Sequence, residues 1–354
     1  MAIDIKKLLQ SVVSHGASDL HLVSRSEPQI RIDGTLKAVN LPVLTGEDIE
    51  EMAYALLTEK QKKSFEEHLE LDFALLLPGI GRFRANYYRT LGDIAAAFRI
   101  IPTEIPSLDD LNAPEIYKRM IKREKGLILV TGPTGSGKST TLAAMLNEIN
   151  ITENKHIITV EDPVEFIHQN KKCVFSHRET GSDTKSFSMA LKYAMRQDPD
   201  IILIGEMRDK ETIEAALTAA ETGHLVFGTL HTNSAPGTIN RIIDVFGGDE
   251  QAQIRTMLAS SLVGVISQVL LPKVNGGRVA APEIMIPNNA ISNLIREDKI
   301  HQIYSQMQLG QGATGMQTQT QILMKLRKQG LISKEDALQY ANKPDELKKN
   351  INFK

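Results

Sequence analysis

The sequence predicts an α/β protein in two parts: an N-terminal α+β domain, then a parallel sheet flanked by helices and ending in a helical segment. Three observations carry this. The chain has 354 residues, comfortable for two cores and long for one. From Gly126 onward the short apolar runs Leu127–Val130, Ile157–Val160, Ile201–Ile204 and Leu225–Leu230 alternate with helical segments, as buried parallel strands do. Residues 1–100 lack that rhythm.

In the first domain, Ile3 to His15 reads as a helix closed by Gly16. Ile30-Arg31-Ile32-Asp33-Gly34-Thr35-Leu36 alternates apolar and polar residues around an Asp-Gly turn, a hairpin signal. Thr45 caps a helix with Ile49, Met52, Ala53, Leu56 and Leu57 at helical spacing, and strands are expected over Arg82–Tyr88 and Ile94–Ile100. The segment 101–107, Ile-Pro-Thr-Glu-Ile-Pro-Ser, is held extended by its prolines and reads as a linker, leaving 108–354 as the second domain. Its end is helical, with Ser333 and Asp336 in capping-box spacing.

Composition narrows the function. A net charge of −2, with 24% charged and 42% hydrophobic residues, exerts no general pull on nucleic acid. The single cysteine, Cys173, excludes internal disulfides and a cysteine-rich zinc site. The N-terminus lacks the pattern of a secretory signal. The apolar stretch Met257–Pro272 is broken by Ser260, Ser261, Ser267 and Gln268 and is too short to span a bilayer, so any membrane association is expected to be peripheral.

Gly132-Pro133-Thr134-Gly135-Ser136-Gly137-Lys138-Ser139 fits G-x-x-x-x-G-K-[ST], with a strand before it and a helix after. The glycines let backbone N–H groups face one anion, and the helix N-terminus adds a favourable dipole. Lys138 is placed for the β- and γ-phosphates of a nucleotide and Ser139 for Mg²⁺, with Thr140 completing the binding set. Ile201–Ile204 ends in Gly205-Glu206, where open α/β sheets put ligand-facing groups. Gly205 would let the backbone approach the nucleotide, and Glu206 would accept a proton from the attacking water or orient it; the alternative is a solvated helix-capping Glu. Glu161-Asp162-Pro163-Val164-Glu165 follows another apolar strand and suits a Mg²⁺-bound water, or else a surface turn. His224 and His231 bracket Leu225–Leu230; residues seven apart on a strand face opposite ways, which argues against one shared metal.

Together and in this order, these pieces resemble the secretion ATPase superfamily. Gly132–Ser139 is similar to its Walker A motif, Ile158–Glu165 to its Asp box, Ile201–Asp209 to its Walker B motif, and Thr218–Thr232 to its His box. Within the superfamily the chain most resembles type IV pilus retraction ATPases of the PilT family. Ala17-Ser18-Asp19-Leu20-His21-Leu22 is similar to the opening of their PAS-like domain, and Ala290–Glu297 to a signature helix in which Ser292 replaces the usual arginine.

The resemblance implies a RecA-like ATPase domain, with Glu206 as the hydrolytic glutamate, Glu161 as a partner of Mg²⁺ or of water, and His231 as a γ-phosphate sensor. Arg84 and Arg99, fifteen residues apart, match an arginine pair that the superfamily's N-terminal domain donates to a neighbouring subunit's site. The implied protein is a homohexameric ATP-hydrolysing motor of pilus retraction and twitching motility. It would work from the cytoplasmic face of the inner membrane on a platform protein, in some systems with a related accessory ATPase. An accessory or assembly ATPase, a weakly hydrolysing regulatory subunit and a DNA translocase are the alternatives. Assembly and type II secretion ATPases usually carry a four-cysteine zinc element, which one cysteine cannot build. No basic groove favours the translocase.

Overall fold

The computed structural model describes residues 3–32, 34–101, 104–309 and 314–350. It divides into two compact units, Met1–Glu104 with Pro163–Ile167, and Ile105–Asp162 with His168–Lys354. The division after Glu104 falls within the 101–107 segment, whose Pro102 and Thr103 lie outside the described residues, as does Asp33 of the hairpin turn.

The first unit contains α1 (Ile5–Ser14), β1 (Asp19–Leu22), β2 (Gln29–Ile32), β3 (Thr35–Ala38), α2 (Gly46–Tyr54), α3 (Glu59–His68), β4 (Glu70–Leu77), β5 (Gly81–Thr90) and β6 (Asp93–Ile101). Asp4 caps α1, while Thr45 with Asp48 and Thr58 with Gln61 form capping boxes on α2 and α3. The strands make one antiparallel sheet, ordered β3-β2-β1-β6-β5-β4. Alternation sends Leu20, Leu22, Phe83, Ala85, Tyr87, Ile94, Ala96 and Phe98 to one face, where Leu9, Ile49 and Phe65 of the helices complete the core. Tyr87 is fully buried, its ring edge-on to Phe65, Phe73 and Phe98 and its hydroxyl donating to the Ala53 carbonyl at 3.2 Å. Its opposite parity carries Asp19, Arg31, Arg84 and Arg99.

The second unit contains α4 (Ile116–Met120), β7 (Gly126–Thr131), α5 (Lys138–Thr152), β8 (His156–Glu161), β9 (Val174–Glu179), α6 (Phe187–Ala194), β10 (Ile201–Ile204), α7 (Lys210–Glu221), β11 (Leu225–Leu230), α8 (Ala235–Asp244), α9 (Gln251–Ser261), β12 (Leu262–Pro272), β13 (Arg278–Met285), α10 (Asn289–Arg296) and α11 (Ile303–Leu309). It ends in α12 (Gln319–Lys328), α13 (Lys334–Gln339) and α14 (Pro344–Lys349). Sheet order is β13-β12-β7-β11-β10-β8-β9, parallel throughout except for β13, which pairs antiparallel with β12. Every residue of β7, β10 and β11 is buried, which is why these strands are apolar runs without alternation. The stretch Met257–Pro272 is the end of α9 followed by β12. Among the described residues, no helix is long and apolar enough to cross a membrane.

Candidate active site

The parallel register brings the candidate residues to one edge of the sheet. Thr131 pairs with Leu230, and Ile204 pairs with both Gly228 and Val160. The residues next along the chain are therefore Gly132 after β7, His231 after β11, Gly205-Glu206 after β10, and Glu161 at the end of β8. Carboxyl ends of parallel strands are where such folds bind ligands.

The phosphate loop runs from Gly132 into α5, with Lys138 as the first helical residue. Lys138 Nζ donates to the carbonyls of Gly132 at 2.9 Å and Pro133 at 3.2 Å, so the ammonium lies over the loop it would neutralise a ligand in. Gly132 has φ +141°, and a Cβ there would strike the Gln268 carbonyl and come within 2.7 Å of Ser136 Oγ. Ser136 Oγ is itself buried without a hydrogen-bond partner. A cradle that a methyl group would fill, with an unsatisfied hydroxyl and a lysine, fits a polyphosphate. Pro133, Thr134 and Gly135 are exposed at its rim, while Ser139 and Thr140 lie half-buried in the first turn of α5.

Gln268, treated in the sequence only as a break in an apolar run, holds this loop in place. Its Nε2 donates to the Ser136 carbonyl at 2.7 Å, and its Oε1 accepts from Thr141 Oγ1 at 3.0 Å, with the side chain 2% exposed. A glutamine inside an otherwise apolar strand was the available signal.

Glu206 stands at the centre of an ion cluster. Its Oε1 lies 2.5 Å from Arg208 Nε and 3.0 Å from His231 Nε2. Burial pushes its pKa up, but the Arg208 hydrogen bond and charge, with His231 and Lys138, outweigh burial and hold it below the ordinary 4.5. Glu206 is thus a carboxylate at neutral pH, able to accept a proton. Arg208 was not singled out from sequence, where it is one arginine among many. Replacing it with Ala should move the acid limb of the kcat–pH profile to higher pH, because Glu206 loses the strongest group opposing protonation. A pH–rate series reads this, and an unmoved limb would separate Glu206 from the rate-limiting titration.

The strand after Ile204 is clamped between its neighbours. Gly205 N–H donates to the Val160 carbonyl at 2.7 Å, Met207 N–H donates to the Thr229 carbonyl at 3.0 Å, and Thr229 Oγ1 donates to the Gly205 carbonyl. A Cβ on Gly205 would lie 3.1 Å from Glu161 Cα, so the glycine serves close packing of β10 on β8. Glu161 is 9% exposed, and its carbonyl accepts from Thr180 N–H at 2.9 Å, while Asp162 and Glu165 are exposed. His224 lies at the far end of β11, its Nδ1 3.0 Å from the Ala219 carbonyl, where it closes α7. The two histidines sit at opposite ends of the strand, a second reason besides facing that they share no metal.

In the six-stranded sheet, Arg84 and Arg99 are direct cross-strand partners, and Arg99 is in turn opposite Asp19. Arg84 pairs with Asp72 at 3.1 Å and Arg99 with Asp19 at 2.8 Å. Burial raises the Asp19 pKa, but hydrogen bonds from Ser18 and Arg99 bring it below its ordinary value. Both arginines are exposed, on the face away from the core.

Residues 1–346 match the family described as type II/IV secretion system protein. The chain is 53% identical to the type IV pilus retraction ATPase PilT of Pseudomonas aeruginosa, over 97% of this chain and 99% of that one. It is 49% identical to a twitching motility protein of Neisseria gonorrhoeae, covering 98% and 93%. A crystal structure of the pilus retraction motor PilT with bound ADP superposes with a TM-score of 0.92 at 50% identity, covering 98% of this chain and all of that one. Matched along almost its full length in sequence and in fold, this chain belongs to the type II/IV secretion system protein family, in its PilT branch.

Proposed function

We propose that this chain is the ATP-hydrolysing motor of type IV pilus retraction, working as a ring of six. The observation that carries the chemistry is the gathering of the phosphate loop, Glu161, Glu206 and His231 at one sheet edge. The retraction assignment is supported by near full-length similarity to a pilus retraction ATPase.

In this reading, backbone N–H groups of residues 132–137 and the Lys138 ammonium hold the phosphates of ATP. The Ser139 hydroxyl, and Glu161 through a water, would hold Mg²⁺, which when bound would supply positive charge against the phosphates. Glu206 takes a proton from the water whose oxygen bonds to the γ-phosphorus as the bond to ADP breaks. His231 reports the γ-phosphate and is already 3.0 Å from Glu206. Arg84 and Arg99 enter a neighbouring subunit's site, exchanging their carboxylate partners for phosphate. The two domains, 1–100 and 108–354, close about the 101–107 linker as ATP binds, and closure passing round the ring moves a platform protein at the inner face of the cytoplasmic membrane. A related accessory ATPase joins it in some settings.

The test is Lys138→Ala in the native host, with surface pili labelled and followed in live cells. Abundant pili that never shorten are expected. Bald cells would overturn retraction in favour of assembly, leaving the ATPase chemistry standing.

A further inference from the structure

Glu283 is a buried carboxylate with no place in the chemistry above. It lies on β13, 2% exposed, and each of its oxygens meets the start of a helix. Oε1 accepts from the N–H of Ala235, first residue of α8, at 2.7 Å, and Oε2 accepts from the N–H of Gln319, first residue of α12, at 3.3 Å. Helix N-termini favour a carboxylate, which offsets part of the cost of burying it.

The chain entering α8 is the loop that carries His231. Two residues beyond His231, the Asn233 carbonyl accepts from Asn342 Nδ2 at 2.6 Å, and the Asn342 N–H donates to Gln319 Oε1 at 2.6 Å. The contacts close a circuit: Asn233 on the loop and Ala235 at the start of α8, Glu283 on the sheet, Gln319 at the start of α12 and Asn342 in the turn between α13 and α14. Those helices have an apolar core of their own, in which Ile322, Leu323, Leu326, Ile332, Ala337 and Leu347 pack on the ends of β12 and β13. Apart from β13, the circuit joins two bodies: the sensor loop and the C-terminal segment.

We infer that Glu283 and Asn342 are positioning residues, which hold the His231 loop against the C-terminal helices and make hydrolysis depend on where those helices sit. The inference rests on the γ-phosphate-sensing reading of His231. A 3.0 Å contact between His231 and Glu206 tolerates shifts of a few tenths of an ångström, and a displacement of about 1 Å in a reacting constellation costs on the order of a hundredfold in rate. Helices displaced by a load would change the rate through this circuit, and a nucleotide seated at His231 would be felt by the helices.

The experiment uses the full-length protein with Asn342→Ala, an exposed change that spares the core, and Glu283→Gln, which keeps one acceptor oxygen. For Asn342→Ala the expected result is a kcat lower by about tenfold with KM for ATP held within about twofold, as when a group that acts in the transition state is displaced by a fraction of an ångström and ground-state binding is spared. Amide exchange should quicken in residues 231–238 and stay unchanged in 132–140. In a His231→Ala background, Asn342→Ala should cost nothing more, since the two act through one group. Wild-type kcat and exchange in both variants, or a lowered melting temperature with unaltered kcat, would overturn the inference. If His231→Ala hydrolyses ATP like the wild type, the sensor reading fails, and attachment of the loop to the C-terminal helices is decided by the exchange of residues 231–238 alone.

Discussion

Glu206→Gln should bind ATP about as tightly as the wild type and hydrolyse it about 10²–10⁴-fold more slowly, the range that a positioned acid or base supplies. Glutamine keeps the shape of the side chain and loses the capacity to take a proton. It also loses the charge facing Arg208 and His231. Arg208 is 76% exposed, so water replaces its partner and the fold should be little affected. Nucleotide titration beside a multiple-turnover phosphate-release assay separates binding from turnover. A rate close to wild type would take proton transfer away from Glu206 and leave Glu161, whose Gln variant is the companion measurement.

Arg84→Ala should likewise leave ATP binding nearly intact while hydrolysis falls by about 10³–10⁵-fold, the effect of removing an arginine that stabilises phosphoryl-transfer charge. The Arg84–Asp72 pair it breaks is half exposed, at 47% and 51%, and such surface pairs contribute about 0–1 kcal/mol, so unfolding cannot account for a loss that large. The cross-subunit reading makes a sharper demand. Arg84→Ala subunits have sound phosphate loops and donate no arginine; Lys138→Ala subunits have a broken loop and an intact Arg84. Two inactive preparations mixed and reassembled should therefore recover part of the activity. Wild-type hydrolysis by Arg84→Ala alone, or no recovery on mixing, would return Arg84 to the role of a surface ion pair.

Much of the fold was written in local chemistry. β7, β10 and β11 are buried on both faces, so their apolar runs stand out, and α2 announces itself through Thr45 and an apolar stripe. α3 escaped notice because Glu59–His68 buries a single apolar side chain, Phe65, leaving no periodicity to read. β12 escaped because its apolar residues continue without interruption from those of α9, and nothing local marks where helix becomes strand at Leu262. The site divides in the same way. Lys138 and Ser139 are contiguous in sequence and chemically constrained, so their pattern is specific. Gln268 reaches Ser136 from a strand far along the chain, and Glu283 reaches Ala235 and Gln319, through contacts that exist only once the sheet order is set. Arg84 and Arg99 were separable from other surface arginines by family spacing; their direct opposition across β5 and β6 follows from a hairpin register.

The anchoring of the phosphate loop by Gln268 decides when its ordering is bought. Fixing the backbone of one residue costs about 1–2 kcal/mol, and a loop shaped only on contact with its ligand would charge that to the ligand's affinity. Here Gln268, Thr141 and the packing of β12 on β7 fix the loop as the domain folds. The cradle is a mould finished in advance. The free energy of binding a nucleotide is then not consumed in building the pocket, and it remains to be expressed as strain or motion in other parts of the molecule.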